Sequence, residues 1–111
     1  MPRRIRHIDI YLPLEHNDGA AVAESFYVAL GDEILERFGG YTVNQRKFPL
    51  KGIWKTGETK YEDRVIIFGV MDFSNRTDFE TLRYLQNLQT RLKKKLEQLE
   101  VLITMHELTA I

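Results

Sequence analysis

The chain has 111 residues, 43% hydrophobic, 29% charged and 11% aromatic, a size and balance that support one domain with one real core. Sixteen Lys and Arg offset sixteen Asp and Glu, so no net field draws the molecule toward nucleic acid or anionic lipid. The absence of cysteine removes disulfides, thiolate metal sites and cysteine nucleophiles.

Residues Arg4 to Leu12 alternate, with Ile8, Ile10 and Leu12 on one face and His7, Asp9 and Tyr11 on the other, the pattern of a half-buried strand. The apolar stretches in MPRRIRHIDIYLPL are too brief for a signal-peptide core or a membrane span, so the expectation is a soluble, cytoplasmic protein. Pro13 ends the strand. Asn17 or Asp18 then offers a cap for a helix from Ala20 to Phe38, where Val22, Phe26, Leu30, Ile34 and Phe38 form one apolar stripe. Gly39 and Gly40 stop it, because glycine takes the left-handed conformation that a helix end commonly needs.

A second strand begins at Tyr41 and runs irregularly to Trp54. Pro49 cannot donate to a ladder, so this strand is expected at an edge, bulged or broken there. The turn Thr56-Gly57-Glu58-Thr59 makes a hairpin with the next strand and brings Trp54 near Tyr61. That next strand, Asp63 to Met71, reads DRVIIFGVM and is apolar on both faces, as central strands are when covered twice. Thr77 and Glu80 have capping-box spacing and open a helix to about Leu99, with Phe79, Leu82, Leu85, Leu88, Leu92, Leu96 and Leu99 on its buried side. A last strand runs from Val101 to about Leu108.

This order predicts a single α+β domain over residues 1–111, ferredoxin-like βαββαβ, with an antiparallel sheet ordered 4-1-3-2 and two helices on one face. In that order DRVIIFGVM is interior, and its second face, Ile66, Phe68 and Val70 or the alternate set, looks out on water. A bare patch of that kind predicts self-association through the open sheet face, as a homodimer or a larger ring.

Chemistry-bearing residues fall in two groups. His7, Asp9 and His106 converge on the open face if the first and last strands are antiparallel neighbours, and two imidazoles with a carboxylate suit acid–base catalysis or a divalent metal. Solvated or interface-lining polar residues explain them more simply, and no metal and no cofactor is expected. At the other end, Tyr11, Trp54, Tyr61, Asp63 and Arg64 gather near Glu15 and His16 as an aromatic wall suited to a planar or anionic small molecule. The competing explanation is an ordinary Trp–Tyr cross-strand pair with solvated strand-end charges. The basic run Arg91 to Lys95 reads as the solvated, C-terminal side of a helix rather than a nucleic-acid surface, and DRVIIFGVM lacks the stacking aromatics of an RNA-recognition sheet. No nucleic acid and no membrane partner is expected.

Two resemblances follow from these residues. Pro2, a secondary amine once Met1 is removed, resembles the catalytic terminus of the small tautomerase superfamily, although Arg3, Arg4 and Arg6 precede most of the apolar alternation where that family begins its strand at once. The helix end Arg37-Phe38-Gly39-Gly40, the Gly52-Ile53-Trp54 step and the strand start Tyr61-Glu62-Asp63-Arg64 resemble small uncharacterised bacterial proteins of ferredoxin-like fold, a likeness that implies the same fold and no activity. Two functions follow: a homo-oligomeric binding or regulatory module, or a small enzyme of the dimeric α+β-barrel type acting on a small molecule in a pocket between sheets. Fold alone does not choose between them.

Overall fold

A computed structural model describes residues 1–111. In chain order it forms β1 (Arg3–Pro13), α1 (Glu24–Phe38), β2 (Thr42–Val43), β3 (Leu50–Thr56), β4 (Thr59–Asp72), α2 (Asp78–Leu96) and β5 (Ile103–Ala110). The α+β class stands, but the sheet has five strands, in the order β2-β4-β1-β5 with β3 also on β4, and not the expected four-stranded 4-1-3-2. The single irregular second strand read from the sequence is two strands that share one neighbour. Val43 pairs with Phe68 and Leu50 with Val65, so residues 44–49 make an excursion opposite Ile66 and Ile67. Asn44 bridges the gap: its Oδ1 accepts the Ile67 N–H at 2.9 Å, and its Nδ2 donates to the Phe48 carbonyl at 3.2 Å. A side chain thus supplies the ladder bond that the broken strand leaves open.

Register decides which face is inside. Ile10 pairs with Phe68 and Leu12 with Ile66, so the inward residues of β1 bring Ile66, Phe68 and Val70 inward with them. These join Tyr27, Leu30 and Ile34 of α1 and Leu85, Leu88, Leu92 and Leu96 of α2 in one core. Ile66, Phe68 and Val70 therefore face the helices, which decides between the two sets that the sequence left open. The alternate set, Val65, Ile67, Gly69 and Met71, forms the open side.

Both helices differ from expectation at one end. α1 starts at Glu24, because the chain before it folds back on β1: the Val22 N–H donates to the Leu14 carbonyl at 2.9 Å, and Asp18 closes a turn by accepting the Ala20 N–H rather than capping a helix. α1 ends at Gly39, whose φ of 86° is the left-handed stop that its sequence suggests. α2 begins as expected, with Thr77 Oγ1 accepting the Glu80 N–H at 3.1 Å, but ends at Leu96, where Glu97 turns left-handed at φ 54°. Phe79, Leu82 and Leu99 are exposed, not buried. The first turn of α2 lies over a polar anchor, not the apolar core: Arg6 donates to Asp78 at 2.6 Å, to buried Asp72 at 3.3 Å and to the Arg76 carbonyl at 2.7 Å. No helix is long and apolar enough to cross a membrane.

Candidate functional site

A concavity of about 410 Å³ opens beside the β2–β3 break, lined by Tyr27 and Val28 of α1, Tyr41, the segment from Val43 to Lys47, and Ile66 and Phe68 of β4. Its volume falls in the range of small-molecule sites. Three aromatic rings shape it. Tyr41 stacks on Phe68 with centroids 5.0 Å apart and planes 20° from parallel, an arrangement that Gly31 permits, since a Cβ there would collide with the Tyr41 hydroxyl. Tyr27 donates to the Pro13 carbonyl at 2.5 Å, and burial pushes its phenol up to about 12, so it stays protonated at neutral pH. The Arg46 guanidinium lies 5.2 Å from the Tyr27 centroid and pairs with Glu24 at 2.6 Å. That exposed pair is held weakly enough for an anionic ligand to compete for the arginine. No carboxylate or imidazole lines the hollow, so what it offers is stacking surface, amide hydrogen bonds from Asn44 and Gln45, and cationic charge.

Periodicity does not lead to this hollow. Its residues lie on a helix face, a loop and the inner side of a strand. The one available signal is Gly31, a glycine in the middle of an otherwise regular helix, where the cost relative to alanine calls for a close approach to explain it.

The residues singled out from the sequence are distributed otherwise. His7 and His106 sit directly opposite on β1 and β5 with ring centroids 5.0 Å apart, and His7 Nε2 lies 3.2 Å from Asp9 Oδ1. These three do come together on the open face, over Gly69, where a Cβ would sit 3.6 Å from His7 Nε2 and 3.5 Å from Asp9 Oδ1. They do not form a metal-ligand cluster: no group of three or more His, Cys, Asp or Glu is arranged to hold an ion. Trp54 and Tyr61 pair across the β3–β4 hairpin, and the indole donates to Asp63 Oδ2 at 2.8 Å while lying over Gly52. Tyr11 is not with them. It pairs with Ile67, six residues along β4 from Tyr61, or roughly 20 Å at strand spacing. Arg64 projects to the opposite side of β4 from Asp63 and makes a two-pronged pair with Glu15 at 2.6 and 3.2 Å. The expected aromatic wall with its arginine is therefore three separate features.

Of the basic run on α2, Arg91 is engaged within the fold. Arg91 grips both oxygens of Glu33 on α1 at 2.8 and 2.7 Å, and Tyr84 donates a short hydrogen bond to the same carboxylate. Hydrogen bonding from Arg91, against the opposing effect of burial, holds Glu33 down to about 2. This clamp joins the two helices.

No protein-family model matches the chain, and no curated protein matches it. Two solved structures do. Phage SAM lyase in complex with S-methyl-5′-thioadenosine aligns with a TM-score of 0.67 over 96% of this chain and 90% of that one, at 12% identity. Phage SAM lyase in its apo state aligns with a TM-score of 0.68 over 92% of this chain and 79% of that one, at 16% identity. At those identities the shared property is the fold.

Proposed function

We propose that this chain is a small enzyme of the SAM lyase type, which binds an adenosine-bearing sulfonium and breaks a carbon–sulfur bond. The observation that carries the reading is the coincidence of two facts: the whole chain follows the fold of phage SAM lyase, and a hollow of nucleoside size lies open beside β2. S-methyl-5′-thioadenosine is what remains of S-adenosylmethionine when sulfur loses its aminocarboxypropyl arm. The bond that breaks is therefore sulfur to carbon, and its electron pair goes to sulfur, turning a cation into a neutral thioether, while the arm's own carboxylate oxygen bonds to the carbon that sulfur leaves and closes a lactone, so that no proton is lost and no second reactant is needed.

The lining chemistry suits such a substrate. Tyr41, half-exposed and backed by buried Phe68, offers a flat face for a purine, and Arg46, lying over the Tyr27 ring, a partner for the amino-acid carboxylate. With no acid or imidazole in the lining, the protein's part is to bind the substrate and orient its reacting atoms rather than to abstract a proton. Each neutral contact of this kind contributes modestly, and the purine stack on Tyr41 is the one whose loss is read most cleanly.

Incubation with S-adenosylmethionine, with mass spectrometry following S-methyl-5′-thioadenosine, tests the reading. Tyr41→Ala and Arg46→Ala are each expected to lower turnover at least tenfold, on the order of 1.4 kcal/mol. Binding of S-methyl-5′-thioadenosine without turnover would return the chain to the binding-module reading. Neither binding nor turnover would end the lyase proposal.

A further inference from the structure

A glycine inside a helix costs stability relative to alanine, because it has more backbone freedom to lose and no side chain to pack. Gly31 bears that cost at the centre of the 15-residue α1, where it is buried beside Leu30 and Ile34. Its backbone gives no reason for the choice, since the glycines of positive φ are Gly19, Gly39 and Gly57. What it leaves room for is one side chain. A Cβ at this position would collide with the Tyr41 hydroxyl and stand 3.0 Å from its Cζ and 3.5 Å from its Cε1, and these Tyr41 atoms are the three nearest to it.

If that space only needed filling, alanine would fill it and restore the helix's lost stability. The absent methyl is explained by where it lets the ring lie. With its hydroxyl end tucked against α1, the Tyr41 ring rests 5.0 Å from Phe68 and 20° from parallel to it. Tyr41 is not sealed into the core: it stays 39% exposed and lines the hollow. A side chain at position 31 would force the ring to slide or tilt away from Phe68, and stacking is sensitive to both offset and tilt.

We propose that Gly31 is a positioning residue for the ligand, which it does not touch: by lacking a Cβ it holds the Tyr41 ring in the plane on which a purine stacks. The identity of that ligand rests on the lyase reading. The steric coupling of positions 31 and 41 does not, so the two can fail separately. A glycine required by helix packing alone would be equally costly to replace whatever stood at position 41.

Calorimetric titration with S-methyl-5′-thioadenosine and thermal melting, on the full chain and its variants, test the assignment. Gly31→Ala is expected to weaken binding at least about tenfold. In Tyr41→Phe, which keeps the ring and removes the colliding oxygen, the same substitution is expected to weaken binding by less than about threefold. Melting reads the coupling without ligand: Gly31→Ala is expected to lower the melting temperature of the wild type by several degrees and to raise that of Tyr41→Ala, where no ring opposes the gain in helix propensity. Equal weakening of binding with Tyr or Phe at position 41, full binding by Gly31→Ala, or a melting shift of the same sign in both backgrounds would each overturn the inference and leave the lyase reading standing. A wild type that binds no S-methyl-5′-thioadenosine would remove the positioning role together with its ligand, and inverted melting shifts would then place the failure in the lyase reading rather than in the coupling.

Discussion

Single residues show how far alternation carries an inference. His7, Asp9 and His106 were placeable from the sequence because a period of two and an antiparallel neighbour fix their side and their level. Arg64 was not, since its partner Glu15 lies in a loop whose path no periodicity describes, and the pairing turns it away from Trp54. Glu33 was silent in the sequence, one acid among many on a helix, yet it is the most strongly perturbed carboxylate. Its folded value of about 2 lies below the ordinary 4.5, so the clamp to Arg91 and Tyr84 stabilises the fold above pH ~4.5 and is lost as pH falls toward 2. With the side chains of Arg91 and Glu33 41% and 34% exposed, solvent screening reduces that contribution to about 1 kcal/mol. Glu33→Gln is accordingly expected to lower the melting temperature at pH 7 by several degrees and to flatten its decline between pH 4.5 and 2. An equal acid decline in wild type and variant would place the acid sensitivity elsewhere.

At the scale of elements, what was legible is what repeats. The helix stripes, the Thr77 cap, the Gly39 stop and the Trp54–Tyr61 pair all follow from local spacing, and Gly57, with φ of 61° at the first position of a two-residue turn, sets the hairpin register by the same logic. The division of the second strand was legible only as a fault at Pro49, because the bridge that makes two strands out of one is a side chain, Asn44. That bridge also holds one wall of the hollow, since Asn44 ties the 44–48 segment to β4 at Ile67. Asn44→Ala leaves the half-buried Ile67 N–H without its acceptor and is expected to cost about 1–3 kcal/mol, whereas Asn44→Asp keeps that acceptor and loses only the donor to Phe48, at about 1 kcal/mol. Denaturant titration ranks the two, and amide exchange at Ile67 should quicken in the alanine variant alone. Equal losses would mean that the Phe48 bond, not the bridge to β4, fixes the segment.

For the whole molecule, alternation and element order were enough to read the α+β class and two helices on one side of a sheet, because each helix stripe needs a sheet face to cover it. Which face of β4 that would be depended on pairing with Ile10 and Leu12, a long-range register that composition does not encode. The exposure of the β3–β4 hairpin was illegible for a related reason: its residues look like any strand until it is known that nothing lies behind them. S-methyl-5′-thioadenosine at a hundredfold excess over its dissociation constant adds about 2.7 kcal/mol by mass action, a shift that depends on ligand rather than protein concentration. A melting temperature that does not rise with the ligand would count against the lyase reading.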